Sequence, residues 1–364
     1  MPLSSFKPEN YDALLQQKQQ RLQGLLAPFQ APELNVYDSA TSGFRMRAEF
    51  RFWHTDESSD YVMFAKGAPD VPVIIHDFPI AHPQINDCMQ KVRAAVVESD
   101  TLRQRLFQIE FLSSLKGEIL VSLIYHKKLD EQWLSEAQAL ESALGIFIIG
   151  RSRKQKVIIS QDYIDECLHV NGENFHYQQI EGSFTQPNAL INQDMLSWAQ
   201  QHTLDNGQDL LELYCGNGNF TAVLAQNFDK VLATEISKTS VRSAEWNFER
   251  NDIDNVNVCR MSSEDFTSAL KGERRFRRLQ QKSICLEDYH FSTVLVDPPR
   301  AGLDDETLKL IQQFDHIVYI SCNPETLCGN LTRLMQSHQI EQAAMFDQFP
   351  YTDHIETGLI LRKR

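Results

Sequence analysis

A cysteine follows an apolar run in this chain, at a point where the next two residues force a turn. Cys322 comes after the run 317–320 and before Asn323-Pro324, so its thiol should lie at the tip of a strand and face solvent or substrate. A free thiol has a pKa of about 8.5, and a modest lowering supplies the nucleophilic thiolate. The position predicts covalent catalysis at the carboxyl edge of a sheet. Most cysteines are instead buried and inert, which is what we expect of Cys328 on the following helix.

Covalent catalysis by a thiol is useful where a ring carbon must be made electron-rich. Carbon 5 of uracil is too weakly nucleophilic to take a methyl group from a sulfonium unaided, but addition of a thiolate to carbon 6 turns the ring into an enolate. A base must then remove the carbon 5 proton so that the thiol can leave. His354 and Glu356 are candidates for that base, because both stand at the start of the last apolar run and strand alternation puts them on one face. Their spacing does not decide between them, and either could be only a solvated strand end.

A glycine loop lies roughly a hundred residues upstream of the cysteine, between a predicted strand and a predicted helix. Gly216 and Gly218 permit backbone torsions and a close approach that side chains would block. The third glycine of a dinucleotide fingerprint is replaced by Thr221, which argues against NAD and favours a ligand without a pyrophosphate. Glu235 closes the next strand, where an acidic side chain can accept both ribose hydroxyls. The combination predicts an adenosyl ligand, and a bare turn followed by a solvated glutamate is the alternative.

A turn with two prolines follows a later apolar run. In Asp297-Pro298-Pro299-Arg300 the prolines fix an extended turn and remove two backbone donors, so the carbonyl groups and Asp297 are free to face a ligand at the sheet edge. Similar Asp-Pro-Pro runs occur in enzymes that methylate amino groups. The motif therefore does not name the atom that is methylated, and a simple rigid turn is the alternative.

The elements that must hold these residues alternate between short β-branched runs and longer helical stretches, which predicts an α/β domain with a mostly parallel sheet. The predicted strands are 210–213, 231–234, 256–259, 293–296 and 317–320, with helices at 220–227 and 238–251 and two closing strands at 343–348 and 354–362. An antiparallel hairpin that closes a parallel sheet resembles the S-adenosylmethionine-dependent methyltransferases. We therefore predict a Rossmann-like methyltransferase domain with a mostly parallel seven-stranded sheet at residues 181–364.

Residues 1–180 have a different pattern, in which alternating runs surround two helices. Strands at 44–53, 61–64, 71–75, 106–111 and 119–125 and helices at 84–98 and 131–144 predict a separate α+β domain. Its basic residues are Arg45, Arg47 and Arg51 on one strand face, which Trp53 extends, and those of the runs 125–128 and 151–156. These clusters predict an RNA-binding groove, with Phe107 as a candidate platform for a splayed base. Each charge alone could be a solvated surface residue, and Phe107 could be an ordinary core residue.

Length and composition bound these expectations. With 364 residues the chain exceeds the usual length of one hydrophobic core, so two domains are the default. The formal charge of −14 argues against non-specific affinity for polyanions but does not describe one face of the molecule. The seven cysteines include no Cys-x-x-Cys pair, which predicts reduced thiols and no metal. No signal-peptide core and no long apolar run occur, so we expect a cytoplasmic protein without a membrane segment. The basic run 274–278 either contacts phosphates or is an exposed loop.

Five sequence runs together resemble the RNA uracil-5-methyltransferase family. They are Phe-Thr-Gln-Pro-Asn (184–188), Glu-Leu-Tyr-Cys-Gly-Asn-Gly-Asn-Phe (212–220), Asp-Pro-Pro-Arg-Ala-Gly (297–302), Ser-Cys-Asn-Pro-Glu-Thr (321–326) and His-Ile-Glu (354–356). The runs 44–51, 125–128 and 347–351 are similar to the bacterial transfer-RNA members, so the likeness spans almost the whole chain. It implies that Cys322 is the nucleophile and that Glu356, rather than His354, is the base. The residues that it assigns to the S-adenosylmethionine pocket are Gln186, Tyr214, Asn219, Glu235 and Asp297.

The resemblance also implies the substrate, which is the T-loop uridine at position 54 in the T arm of tRNA, with the analogous loop of tmRNA as a second substrate. Family members that act on ribosomal RNA commonly carry an amino-terminal cysteine cluster for an iron–sulfur centre. The first 160 residues here contain only Cys88, which favours tRNA. We expect a monomer. The alternatives are a ribosomal-RNA uridine methyltransferase, an amino-group methyltransferase that uses Asp297, and an RNA-folding chaperone whose methylation is incidental.

Overall fold

The computed structural model describes residues 6–55, 58–65, 68–204, 206–274 and 276–364, without the side chains at 65 and 68–70. These residues form two compact units. We call them the smaller unit, which consists of Ala40–Cys167 and Gln179–Ala189 with residues 6–9, and the larger unit, which consists of Asn10–Ser39, Leu168–Gln178 and Leu190–Arg364.

The helices and strands of the described ranges are numbered in chain order. The strands are β1 (Leu34–Tyr37), β2 (Arg47–His54), β3 (Ser59–Ala65), β4 (Ala68–Ile74), β5 (Leu106–Ser113), β6 (Ile119–Tyr125), β7 (Phe147–Ser152), β8 (Gln155–Ile158), β9 (Tyr163–Val170), β10 (Glu173–Ile180), β11 (Asp209–Leu213), β12 (Lys230–Glu235), β13 (Val256–Arg260), β14 (Phe291–Val296), β15 (His316–Ser321), β16 (His338–Phe346) and β17 (Glu356–Lys363). The helices are α1 (Tyr11–Leu26), α2 (Pro83–Glu98), α3 (Asp100–Arg103), α4 (Glu131–Leu144), α5 (Ala189–Gln201), α6 (Asn219–Leu224), α7 (Lys238–Arg250), α8 (Ser263–Leu270), α9 (Arg277–Gln281), α10 (Asp305–Ile311) and α11 (Pro324–Leu334).

An eight-stranded sheet forms the centre of the larger unit, in the order β1-β16-β17-β15-β14-β11-β12-β13. All neighbouring strands are parallel except where β17 pairs with β15 and β16. The predicted α/β class, the mostly parallel sheet and the antiparallel closing hairpin are therefore confirmed. The sheet has eight strands instead of the predicted seven because β1 adds to its edge.

Helices cover both faces of this sheet, which explains why β11, β14 and β15 are buried along almost their whole length. On one face, Leu211 of β11 belongs to a core that includes Leu22 of α1 and Leu327 of α11. On the other face, Trp198 of α5 packs against β17, where Gly358 leaves room for it. A Cβ atom at position 358 would lie 2.7 Å from Cζ3 of that indole ring.

The division into units differs from the single boundary predicted at residue 180. Residues 10–39 belong to the larger unit because β1 pairs in parallel with β16, with Leu34 opposite Ala343. Residues 168–178 also belong to the larger unit, and residues 179–189 belong to the smaller unit. The sequence patterns do not indicate α1 or β1, since a helix of modest amphipathicity and a four-residue strand give weak signals.

A seven-stranded sheet forms the smaller unit, in the order β4-β3-β2-β5-β6-β7-β8. Its strands are antiparallel except for the pair β6 and β7, which α4 connects. Helix α4 lies close to this pair, since a Cβ atom at Gly150 would overlap the ring of Trp133. The predicted α+β pattern agrees with this architecture. The sequence patterns do not predict β7 and β8 of this sheet, or β9 and β10, which pair with each other in a separate two-stranded sheet.

Candidate active site

The glycine loop connects β11 to α6 and has the tight conformation that its residues predicted. Gly216 and Gly218 have φ of 58° and 79°, and the amide of Gly218 donates to the carbonyl of Cys215 over 2.8 Å. Tyr214 also has a positive φ of 64°, which is uncommon for a bulky side chain and often marks a functional turn. A Cβ atom at Gly218 would lie 2.8 Å from the ring of Phe248, so the close approach predicted for this glycine is to α7.

Glu235 is bonded to the glycine loop. One carboxylate oxygen accepts from the amide of Gly216 at 3.0 Å, and the other accepts from the amide of Ser237 at 2.6 Å. Each carboxylate oxygen can accept a second hydrogen bond. The structure therefore brings Glu235 to the loop, as its spacing predicted, with lone pairs left for a ligand.

Asn219 and Tyr214 are held by partners that the sequence did not indicate. The amides of Asn219 and Asn192 exchange two hydrogen bonds of 2.9 Å, and the Tyr177 hydroxyl donates to the Asn219 carbonyl at 2.9 Å. The Tyr214 hydroxyl lies 2.6 Å from the hydroxyl of Ser263 at the start of α8. These bonds fix the two residues at the carboxyl edge of the sheet.

Strand register brings Cys322 and Glu356 together. Ser321 is paired with Thr357, and one further step along the antiparallel pair β15 and β17 places Cys322 opposite Glu356. Directly opposed residues have Cα atoms about 4.5–5.5 Å apart and side chains on one face. Glu356 is 3% exposed, whereas His354 is exposed and precedes the strand. The geometry thus favours Glu356 where sequence spacing left the two equal.

Asp297 joins the same face of the sheet. Val296 is paired with Tyr319, so the next residue, Asp297, lies opposite Ile320, two residues before Cys322. The cluster has a further carboxylate that the sequence reasoning missed. Glu212 is 1% exposed, and its Oε2 has no hydrogen-bond partner among the described residues.

The two turns that carry Asp297 and Cys322 are bonded to each other. The carbonyl of Arg300 accepts from the side-chain amide of Asn323 at 3.0 Å and from the hydroxyl of Thr326 at 3.2 Å. Asn323 also caps α11 by accepting from the amide of Glu325 at 3.2 Å. The Asn-Pro pair therefore ends β15, starts the helix and anchors the neighbouring turn.

Burial and mutual repulsion raise the pKa values of the acidic groups at this edge. Burial, with a contribution from Asp297, raises the pKa of Glu356 well above its usual value and that of Glu212 to about 8. Burial raises the pKa of Asp297 to about 7. The Cys322 thiol has a pKa raised to about 11 by burial and by the charges of Glu356 and Asp297, which Arg300 partly offsets. Burial therefore favours the protonated forms of the thiol and of the carboxyl groups in the free site.

The other predicted site residues have different surroundings. Gln186 is half-buried in the smaller unit, and its role stays a prediction. Cys328 lies on α11 and donates weakly to the carbonyl of Leu25. Within the described ranges, no group of three or more His, Cys, Asp or Glu residues could hold a metal ion. None of the helices described is both long enough and apolar enough to cross a membrane.

Two cavities that share His126 open on the sheet of the smaller unit. The first has a volume of about 870 Å³ and is lined by Ile124, Tyr125, His126, Lys127, Lys128, Arg151, Ser152, Arg153 and Gln155. The second has a volume of about 240 Å³ and is lined by Arg51, Phe52, Trp53, His54, Arg105, Leu106, Phe107 and His126. The predicted runs 125–128 and 151–156 thus contribute to the first cavity, and Arg51 and Trp53 to the second.

A stack of three planar groups lies in these cavities. The Arg51 guanidinium is 3.5 Å from the ring centroid of Phe107, and that ring stacks on His126 with centroids 4.1 Å apart and planes at 29°. Phe107 is half-buried, so it is not the enclosed core residue that the sequence left open. Nε of Arg51 has no hydrogen-bond partner among the residues described. The stack offers a flat, positively charged surface.

Other predicted basic residues are engaged within their own unit. Nε of Arg45 donates to the carbonyl of Arg47 at 2.8 Å, and Arg47 donates to the carbonyl of Ser183 at 3.0 Å. Arg47 therefore connects the start of β2 to the segment that precedes Gln186, and Arg45 is bonded to the backbone of Arg47. In the run 274–278, Arg278 donates to the carbonyl of Arg260, and Arg275 lies outside the described residues.

The fold and the site define the class of protein. A doubly covered parallel sheet with an antiparallel closing hairpin and a glycine loop after its first central strand is the fold of Rossmann-like methyltransferases. The solved structure of Pyrococcus abyssi tRNA (uracil-54, C5)-methyltransferase in complex with S-adenosyl-L-homocysteine matches this chain with a TM-score of 0.73 and 21% identity, over 97% of this chain and 83% of that one. At that identity the likeness establishes the fold.

Sequence comparison then identifies the family. A family model described as tRNA (Uracil-5-)-methyltransferase matches residues 10–364. The chain is 56% identical over 354 residues to the tRNA/tmRNA (uracil-C(5))-methyltransferase of Cellvibrio japonicus, covering 97% of this chain and 96% of that protein. It is 51% identical over 365 residues to the protein of the same description from Colwellia psychrerythraea, covering 99% and 100%. The chain belongs to the tRNA (uracil-5-)-methyltransferase family, and the resemblance found in its sequence runs is confirmed.

Proposed function

We propose that this chain transfers a methyl group from S-adenosylmethionine to carbon 5 of the T-loop uridine at position 54 of tRNA, and of the equivalent loop uridine of tmRNA. Its membership of the family and the descriptions of its relatives support the substrate. The observation that carries the mechanism is the strand register that places Cys322 opposite Glu356, whose charge acts on the pKa of the thiol. The proposed enzyme is a cytoplasmic monomer whose chemistry uses no metal ion.

Cys322 and Glu356 divide the reaction between them. The thiolate of Cys322 adds to carbon 6 of the uracil, and the electron pair displaced from the ring double bond makes carbon 5 nucleophilic. After carbon 5 has gained its methyl group, Glu356 removes the carbon 5 proton. The double bond then re-forms, the bond between sulfur and carbon 6 breaks, and the thiolate is regenerated. Cys322 must release its proton to solvent before the addition, and Glu356 must be ionised to accept the carbon 5 proton, so we expect the bound ligands to lower the pKa values that burial raises in the free site.

The residues at the sheet edge fit an adenosyl ligand. Gly216 leaves the loop backbone open to close approach, and the half-exposed Glu235 retains acceptor capacity beside it. Tyr214 and Asn219 flank the same loop, and Asp297 ends the neighbouring strand. S-adenosylmethionine supplies an electrophilic methyl group when it is bound there. This chain's part is to hold it beside the face that carries Cys322.

Replacing Gly218 with alanine should weaken cofactor binding about tenfold and lower the free energy of unfolding by about 1–3 kcal/mol, because the new methyl group meets the ring of Phe248 and the positive φ is strained. Titration calorimetry with S-adenosylhomocysteine and thermal unfolding measure the two effects. Gly216→Ala is the matched control. It has a similar φ but no protein atom within 4 Å of its Cβ, so its free energy of unfolding should show only the smaller effect of strain.

The stack on the smaller unit suits a flipped or splayed RNA base. Bases in RNA loops stack on aromatic rings and guanidinium planes, and phosphates bind to the surrounding cations. Lys128 and Arg153 line the larger cavity and take part in no ion pair among the described residues, so their charges are available to a polyanion. We propose that this surface binds the T arm.

Phe107→Leu should weaken tRNA binding about tenfold, because leucine keeps the apolar volume but removes the ring that holds the Arg51 guanidinium and the His126 imidazole as flat surfaces for a base. Fluorescence anisotropy with labelled T-arm RNA measures the affinity, and cofactor binding should not change. Phe147→Leu is the matched control, since Phe147 is also a half-buried ring on this sheet but packs on the small core around Ile149. Equal losses in both variants would contradict a stacking role.

The proposed function is tested by mass spectrometry of nucleosides from RNA incubated with the protein and isotopically labelled cofactor. We expect labelled 5-methyluridine from tRNA that initially lacks this modification. The label should be absent from a tRNA in which position 54 is changed to cytidine. Label in ribosomal RNA but not in tRNA would support the ribosomal-RNA alternative instead. Label on an exocyclic amino group would overturn the covalent mechanism.

A further inference from the structure

Helix α1 contacts both of the turns that carry the proposed reacting groups. We propose that Arg21, assisted by Lys18 one turn earlier, is a positioning residue that fixes the separation of Cys322 and Glu356. The inference rests on the proposed function, because it takes these two residues as nucleophile and base.

Arg21 joins the two turns through separate nitrogen atoms of its guanidinium group. Nη1 donates to the carbonyl oxygen of Asp353 at 3.0 Å, three residues before Glu356. Nη2 donates to the carboxylate of Glu325, which lies three residues after Cys322 in the first turn of α11. A guanidinium is planar and presents its donors in a rigid fork, so bonding at both nitrogens sets the separation of the two partners.

Lys18 fixes the other end of the connection between β16 and β17. Its ammonium group donates to the carboxylate of Asp347 at 2.7 Å and to the carbonyl of Phe349 at 2.8 Å. Lys18 and Asp347 are 7% and 2% exposed, so this ion pair is shielded from water. The bonds hold the chain directly after Phe346, the residue that is paired with Glu356 in the sheet.

The connection 347–355 is therefore anchored at both ends to one helix, and the turn after β15 is anchored to it as well. Neither Arg21 nor Lys18 forms a hydrogen bond with Cys322 or Glu356 in the described contacts, so each acts through the backbone of a turn. Displacing reacting groups by about 1 Å can cost about a hundredfold in rate. Loss of these anchors should slow the chemical steps and leave ligand binding intact.

The test compares Arg21→Ala, Arg21→Lys and Arg362→Ala in the full chain, with saturating cofactor and T-arm RNA. We expect kcat to fall about tenfold for Arg21→Ala, with the KM values for both ligands within about twofold of the parent. Arg21→Lys keeps the charge but not the second bond, so its kcat should stay at least about threefold low. Arg362 is an exposed arginine whose ion pair with Glu341 lies at the far end of the sheet, so Arg362→Ala should retain full activity.

Three outcomes would overturn the inference. They are an unchanged kcat in Arg21→Ala, a rise in KM that accounts for the whole loss, and a full recovery of kcat in Arg21→Lys. Cys322→Ala is measured in parallel to separate this inference from the proposed function. Normal methylation by Cys322→Ala would remove the proposed function itself, whereas an inactive Cys322→Ala with a normal Arg21→Ala would remove only the role of Arg21.

The buried pair needs a different design, because Lys18→Met alone leaves Asp347 uncompensated and is expected to unfold the protein. The double variant Lys18→Met, Asp347→Leu replaces both charges by apolar groups, which often preserves stability. We expect it to fold, as followed by circular dichroism, and to have a kcat at least about threefold below the parent because the bond to Phe349 is lost. A folded double variant with full kcat would show that Lys18 has no positioning role.

Discussion

Cys322→Ala should be inactive, with methylation of tRNA reduced about 10⁴-fold or more, because alanine has no thiol to add to carbon 6 of the ring. The variant should bind S-adenosylhomocysteine and RNA with unchanged affinity. It should also form no complex with 5-fluorouridine-substituted RNA that survives denaturing electrophoresis. Transfer of labelled methyl groups in single-turnover experiments measures the loss.

Cys328→Ala is the matched control for that experiment. Its thiol is also half-buried, but it lies within α11 and donates weakly to the carbonyl of Leu25. Cys328→Ala should keep at least about half of the parental rate, since removing a weak thiol hydrogen bond has a small effect. Substantial methylation by Cys322→Ala would show that the reaction needs no covalent adduct.

Glu356→Gln should trap the reaction at the adduct. Glutamine cannot accept the carbon 5 proton, so turnover should fall about 10³-fold while the methylated RNA remains bonded to Cys322. Addition of the thiol should not be slowed, because the charge of Glu356 raises the pKa of Cys322 and the amide removes that charge. A band of protein–RNA complex on a denaturing gel, made with ordinary uridine and cofactor, measures the accumulation.

His354→Gln provides the comparison for Glu356. His354 shares its strand face in the sequence pattern, but the structure leaves it exposed and before the start of β17. The His354→Gln variant should retain activity within about threefold of the parent and accumulate no adduct. If His354→Gln trapped the adduct and Glu356→Gln turned over normally, the two roles would have to be exchanged.

The strands of the catalytic sheet were predictable because they are buried on both faces. β11, β12, β14 and β15 read as short continuous apolar runs, and each observed strand contains its predicted range. The closing hairpin followed from two such runs on either side of Pro350. The site residues at the ends of these strands could be found for the same reason, since parallel strands bring their carboxyl ends to one edge.

The partners of those residues were not predictable from local patterns. Arg21 and Lys18 bond residues more than 300 positions away, and nothing in the spacing of an amphipathic helix indicates where it will pack. Arg45 and Arg47 were predicted to face RNA because strand alternation puts them beside Arg51, yet they bond neighbouring carbonyls. Alternation fixes the face of a strand but not which side chains on that face find a partner inside the protein.

Strand β1 has a consequence for any attempt to produce the catalytic half of this chain alone. It covers the outer side of β16, and it is only four residues long, so it offers little backbone for further pairing. A fragment that began near residue 180 would lack it and would expose the amide and carbonyl groups of β16 to other chains. An exposed edge strand of this kind is a template for intermolecular pairing, so that fragment should accumulate as insoluble aggregates.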